Sequence, residues 1–201
     1  MTRLLVATSN PGKLAEFAEA LASEGIEVVG LDTLGAVDRV EETGVTFEAN
    51  ARLKAEAYSK RTDLPVVADD SGLEVDAMGG APGVYSARFG SPDLSDTARA
   101  KALLKGLVDV PDDKRTARFR CVLAVAKGGK TLATFEGTAE GTILRELRGK
   151  EGFGYDPVFF HPGAGKTFAE IPREEKRRWS HRGRAIERLV QAVKAGMLRA
   201  R

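Results

Sequence analysis

Leu4-Leu5-Val6-Ala7-Thr8-Ser9-Asn10-Pro11-Gly12-Lys13 opens the chain with four apolar residues, a polar turn and a helix start. The apolar run has the length of a short buried strand, and Thr8 to Gly12 reads as the turn leaving it. Asn10 before Pro11 suits a helix start. The Asn side chain accepts from an unpaired N–H, and proline has no N–H to leave unsatisfied in the first turn. Leu14, Phe17, Ala18 and Leu21 then recur at helical spacing, with a stop near Gly25, and Ile26 to Val29 reads as a second strand. Strand, loop, helix and strand in this order are the start of an α/β fold.

A loop from Leu31 to Val45 precedes a helix from Thr46 to about Arg61, with Thr46 as cap. Phe47, Ala51 and Tyr58 share one face, and the polar Asn50 and Lys54 fall on that same face. A polar pair on an inward stripe points to a cleft, unless the lysine stem snorkels. Leu64 to Ala68 reads as a third strand ending at Asp69-Asp70-Ser71-Gly72. Gly79 to Gly83 is a loop, and Ser95 caps a helix over Asp96 to Leu107. Ala117 to Ala126 alternates like a half-buried strand, with Phe119, Cys121, Leu123 and Val125 on one face. Gly128-Gly129 turns it into Thr131 to Thr142, a long hairpin. Gly152 to Asp156 is a loop before Val158-Phe159-Phe160, and a last helix runs from about Arg182 or Gly183 to Leu198 with Ser180 as candidate cap. The expected fold is α/β: an elongated mixed β-sheet with flanking helices, residues 1–201 forming one domain of two lobes around a central cleft.

Composition narrows the function. At 201 residues, 42% hydrophobic and 30% charged, the chain is in the globular range and can bury a core without staples. The longest apolar run, Val122 to Ala126, is far short of the ~20 residues of a membrane span, and only four apolar residues, Leu4 to Ala7, follow Arg3, so a secretory leader is not expected. One cysteine, Cys121, excludes a disulfide framework or a multi-cysteine metal site, and two histidines make a His-rich metal site a poor fit. A soluble cytoplasmic protein is the expectation, with no membrane partner.

The net charge of +2 conceals an asymmetry. Residues 14–80 carry 15 acids and 5 bases, a balance of −10, while residues 171–201 carry 10 bases and 3 acids, a balance of +7. Such a division suits a metal-binding part and an anion-binding part, or two solvated surfaces that never meet. A nucleic-acid module would rely on the basic run Lys176-Arg177-Arg178-Trp179-Ser180-His181-Arg182, but charge runs beside a helix are commonly solvated. Gly165-Lys166-Thr167 imitates the end of a phosphate-binding P-loop, yet Phe160 stands where that motif needs glycine, and Pro172 interrupts the helix it needs.

Other segments carry chemistry. Thr8, Ser9, Asn10, Pro11, Gly12 and Lys13 leave a strand and open a helix, where free N–H groups and the positive dipole end favour an anion. Alone, the segment reads first as an ordinary capped turn with a solvent lysine. Asp69 and Asp70 are adjacent in an extended segment, so they point to opposite sides and one faces a ligand. Hard carboxylate oxygens suit Mg²⁺, which takes one or two of them and completes its shell with water and phosphate. Glu41-Glu42 can add a second carboxylate, and a capped acidic turn is the plain alternative. Phe153, Gly154, Tyr155 and Asp156 combine rings with a carboxylate, suited to stacking on a base or to an aromatic core.

Together these segments resemble the inosine triphosphate pyrophosphatase family. The match is ordered and spans nearly the whole chain: Thr8 to Lys13; Glu41 to Gly44 with Thr46, Phe47, Asn50, Ala51 and Lys54; Ala68 to Leu73 with Gly79 to Gly83; Phe153 to Pro157; and Ser180 to Arg182. Each block alone is weak, whereas five in order are specific. Ser9 stands where many members have glycine. The resemblance implies a two-lobed α/β homodimer that uses Mg²⁺ to cleave deaminated purine nucleotides such as ITP, dITP and XTP between the α- and β-phosphates. It implies Asp70 as the proton-accepting or water-orienting carboxylate and as a metal ligand, with Glu41 as the second ligand. It places Thr8 to Lys13, Lys54, Ser71 and Lys176 on the phosphates and sugar, and Phe153 to Asp156, His181 and Arg182 on the base. The partner is then a small-molecule nucleotide and not a nucleic acid; a related pyrophosphatase acting on a modified pyrimidine is the neighbouring alternative.

Overall fold

The computed structural model describes residues 2–198. Met1 and residues 199–201, which include the ends of the expected domain and part of the basic carboxy-terminal count, lie outside the described residues. The elements, in chain order, are β1 (Thr2–Val6), α1 (Pro11–Ala22), β2 (Ile26–Val29), α2 (Phe47–Ser59), β3 (Val66–Val75), α3 (Asp96–Gly106), β4 (Thr116–Lys127), β5 (Lys130–Ile143), β6 (Phe159–His161), β7 (Lys166–Thr167), α4 (Arg173–Trp179) and α5 (His181–Lys194). The strands form one mixed sheet in the order β2-β1-β3-β4-β5-β6-β7. Among the described residues no helix is long and apolar enough to cross a membrane. The chain divides into two compact units: residues up to Asp70, Cys121–Glu136 and from Arg184 onward, and then Ser71–Arg120 with Gly137–Gly183.

In the first unit β1 pairs in parallel with β2, Thr2 opposite Ile26, and with β3, Leu5 opposite Val66. Parallel strands need a crossover, and α1 supplies one. Asn10 caps it as the sequence predicts, its side chain accepting from the Lys13 N–H, with Pro11 in the first turn. Leu4, Val6, Phe17, Leu21, Val67, Cys121, Leu123 and Val125 pack with Ile186, Leu189 and Val190 of α5 into one core. Each fully buried Leu or Phe there contributes about 1.5–3 kcal/mol.

In the second unit Leu73, Val75, Leu103, Leu107, Phe119, Tyr155, Phe159 and Phe168 form another core. Phe119 and Phe159 approach to 4.7 Å at 58°. The charged Arg115 is only 2% exposed and stays buried because it donates to three carbonyls, those of Leu107, Ile143 and Leu144, at 2.6–2.8 Å.

Three expectations are corrected. Asp69 to Gly72 do not end a strand but lie inside β3, because Leu73 and Val75 continue the extended chain into the second core. The alternation in β4 stops at Cys121, beyond which Val122, Ala124 and Ala126 are buried along with their neighbours, so the strand is covered on both faces. Residues 173–179 are helical rather than an unassigned basic run. Glu174 and Glu175 sit in the first turn of α4 and Lys176 to Arg178 in the last, matching the helix dipole. The Gly128-Gly129 hairpin turn is as expected, with φ of +57° and +81° that other residues adopt at a cost.

Candidate active site

In the first unit the site grows from the turn between β1 and α1, the middle of β3 and the inward face of α2. Thr8 Oγ1 accepts from the Asn10 N–H at 3.1 Å, and Asn10 Oδ1 accepts from the Lys13 N–H at 3.1 Å, so the turn after β1 is tied down before α1 begins. Ser9 and Pro11 are exposed and Gly12 is half-buried on that turn. Lys13 then reaches β3, its Nζ 2.9 Å from Asp69 Oδ2.

Asp70, the next residue, meets a different set, as the alternation of an extended chain requires. Asn50 and Lys54, one turn apart on α2, both face it. The Asn50 Nδ2 donates to Oδ2 at 3.0 Å, and the Lys54 Nζ lies 3.6 Å from Oδ1. Lys54 also donates to Glu42 Oε1 at 2.6 Å. Glu41, the expected second ligand, is exposed, and it is Glu42 that shares Lys54 with Asp70. The sequence suggested Asn50 only by its place on the inward face of α2; its partner is a tertiary fact.

Burial pushes the Asp70 carboxyl up to about 6, although Lys54 and the Asn50 amide oppose the rise; the neighbouring Glu42 and Asp69 charges add to it. Burial also raises Glu42, but Lys54 outweighs it and holds that carboxyl below its ordinary value. Lys54 is lowered by burial and raised more by Asp70, Asp69 and Glu42, so it stays protonated. The result is a carboxylate able to take a proton near neutrality beside fixed cations, an arrangement for general-base work next to an anion.

Among the described residues no cluster of three or more His, Cys, Asp or Glu is arranged around a metal position. Asp70 and Glu42, both on Lys54, nonetheless offer hard oxygens, and Mg²⁺ needs only one or two protein carboxylates when phosphate oxygens supply the rest. The residues present fit that ion.

In the second unit Asp156 is buried, its Oδ2 accepting from Lys176 Nζ at 2.5 Å and from the Phe153 N–H at 2.9 Å. Burial pushes this carboxyl above its usual range against the pull of Lys176. Phe153 carries two cations on its ring, Lys176 Nζ at 5.3 Å and Arg182 Cζ at 5.7 Å from the centroid. The Gly154 N–H donates to Asp96 Oδ2 at 2.8 Å. Tyr155 donates its hydroxyl to the Ser86 carbonyl at 2.8 Å, and burial raises its pKa. Arg182 donates to Ser71 Oγ at 3.0 Å, and the His181 ring stacks on Phe119 at 4.7 Å. Phe153, Lys176 and Arg182 thus come together, whereas Tyr155 and Asp156 face inward and hold the loop that carries Phe153. Asp96, absent from the sequence-based candidates, joins them through a backbone contact that side-chain patterns do not reveal.

An α/β sheet whose buried carboxylates are each paired with a lysine, one of them beside a helix start, is an arrangement suited to an anionic ligand. The chain belongs to the Ham1 family, which it matches over residues 4–192. It is 50% identical over 198 residues to a "dITP/XTP pyrophosphatase" of Shigella flexneri, covering 98% of this chain and 100% of that protein. A protein of the same name from Escherichia coli K12 is 48% identical over the same shares. The structure is similar to that of a HAM1 protein from Coxiella burnetii, with a TM-score of 0.90, 39% identity and coverage of 98% and 100%. A Ham1 protein from Staphylococcus aureus gives 0.86 at 39% identity, with 96% of this chain and 99% of that one covered.

Proposed function

We propose that this chain is a nucleoside-triphosphate pyrophosphatase acting on deaminated purine nucleotides, dITP, XTP and ITP. The observation that carries the reading is full-length similarity at about half identity to dITP/XTP pyrophosphatases, joined to a buried proton-accepting carboxylate among lysines. Water attacks the α-phosphorus, the anhydride bond to the β-phosphate breaks, and the products are the nucleoside monophosphate and pyrophosphate. Asp70 orients that water and accepts its proton. Lys13, Lys54 and the turn from Thr8 to Gly12 that leads into α1 bind phosphate oxygens, and phosphoryl transfer asks mainly for such positioning and charge. Mg²⁺, held by Asp70 with Glu41 or Glu42, supplies further neutralisation of the phosphates when bound. Phe153 offers its ring to the base, with Lys176, His181 and Arg182 around the loop that carries it, and Ser71 is the Arg182 partner.

The 6-oxo group of hypoxanthine or xanthine accepts from a donor such as Arg182, whereas the 6-amino group of adenine sets donor against donor. Each such unpaired group costs ~1–3 kcal/mol, and a hydrogen-bonding site can discriminate by as much as ~10⁴. A panel of ITP, XTP, dITP, ATP and GTP with released pyrophosphate measured tests the reading. Strong preference for the first three, dependence on a divalent metal and an optimum on the alkaline side are expected; comparable kcat/KM on GTP and ITP, or full activity in chelator, overturns it. The family resemblance further implies a cytoplasmic homodimer, which light scattering and fractionation test.

A further inference from the structure

Asn50 is a polar side chain with no exposed surface, on α2. Its amide is used at both ends. Oδ1 accepts from the Gly44 N–H at 2.7 Å, and Nδ2 donates to Asp70 Oδ2 at 3.0 Å. This settles the orientation of the amide. Turning it over would set the amino group against an N–H and the oxygen against a carboxylate, losing both bonds. Gly44 is part of the same device, since a Cβ there would stand 2.7 Å from Asn50 Oδ1 and 2.7 Å from the Ala49 Cβ.

We propose that Asn50 is the positioning residue of the reaction: it joins the loop that carries Glu42 to Asp70 and selects which carboxylate oxygen acts. Asn50 engages Oδ2 and holds the plane of the carboxylate, so Oδ1, the oxygen on the Lys54 side at 3.6 Å, is the one presented to the attacking water. Through Gly44 the same amide fixes the loop two residues beyond Glu42. One side chain therefore sets the separation of the two acidic groups that share Lys54. A group held through a buried bond keeps its geometry through turnover, and small displacements at a reacting centre cost large factors in rate.

The inference rests on the pyrophosphatase reading, and its test separates the two. Asn50→Asp keeps the shape and the acceptor for Gly44 but replaces the donor to Asp70 with a second acceptor. Its kcat on ITP should fall by about 100-fold, the scale of a misplaced acid–base group, with KM within about 3-fold of wild type. A role in packing alone would lower Tm without that division between kcat and KM. The thermal cost of Asn50→Asp should also be several degrees smaller in an Asp70→Asn background, where residue 70 now donates to residue 50. A kcat within about 3-fold of wild type, or equal thermal costs in both backgrounds, overturns the proposal. If wild-type protein releases no pyrophosphate from any nucleotide, the reading of the activity fails, while the thermal comparison still decides the Asn50–Asp70 contact.

Discussion

Lys176 places its ammonium 2.5 Å from the Asp156 carboxylate, with the two side chains only 10% and 4% exposed. The same relationship recurs with Lys13 on Asp69 at 2.9 Å and Lys54 on Glu42 at 2.6 Å. Each lysine assigned to the nucleotide is thus aimed by an acid before any ligand arrives, which spares part of the entropy of ordering a long side chain on binding.

Replacing Lys176 by Met leaves Asp156 buried without its cation. The expected cost is about 3–5 kcal/mol near pH 8. The sign follows from the raised carboxyl. An acid harder to ionise folded than unfolded penalises folding at high pH, and the penalty fades as pH falls toward the ordinary carboxylate value near 4. Denaturant midpoints at pH 8 and pH 5 should therefore differ more for the variant than for wild type. Equal losses at both pH values contradict this account.

Asp70→Asn should lose at least ~100-fold in turnover and yet stabilise the ligand-free protein. With its carboxyl pushed up to about 6, Asp70 costs about 3 kcal/mol of folding stability above that pH. The amide removes the charge, so Tm should rise by about 6–12 °C at pH 8. The gain should vanish near pH 4, where the wild-type carboxyl is protonated in the folded state. A lower Tm at pH 8 would refute the burial penalty.

Asp69→Asn separates the two neighbours. It releases Lys13 while leaving Asp70 in place, so nucleotide KM should rise about 10-fold, ~1.4 kcal/mol, with kcat little changed. A loss of ~100-fold in kcat instead would move the proton-accepting role to Asp69.

Gly183→Ala tests the join between α4 and α5. A Cβ there would meet the Arg177 carbonyl oxygen and stand 3.0 Å from Ser180 Oγ, the acceptor for the Gly183 N–H. Backbone must move, at a cost of ~1–3 kcal/mol. Because His181 and Arg182 begin α5, the ITP-to-GTP preference should weaken along with Tm in urea or thermal melts.

Most of the elements are legible in local sequence signals. Short apolar runs, Asn10, Thr46 and Ser95 as caps, and the Gly128-Gly129 turn are local signals, decided by backbone sterics and by hydrogen bonds three residues away. The sequence also marked Lys13, Lys54, Asp70 and Arg182, whose ordered blocks carried the family resemblance. Tertiary structure alone decided where Asp69 to Gly72 lie, since continuation of β3 depends on a second core for Leu73 and Val75. It decided that α4 forms, because no apolar stripe announces a seven-residue helix of mostly charged residues. It decided too that Glu42 rather than Glu41 meets Lys54, that Asp156 faces Lys176, and that Asn50 spans Gly44 and Asp70. Those pairings join residues 6 to 20 positions apart. Their energies depend on burial and distance, and neither exists until the chain has folded.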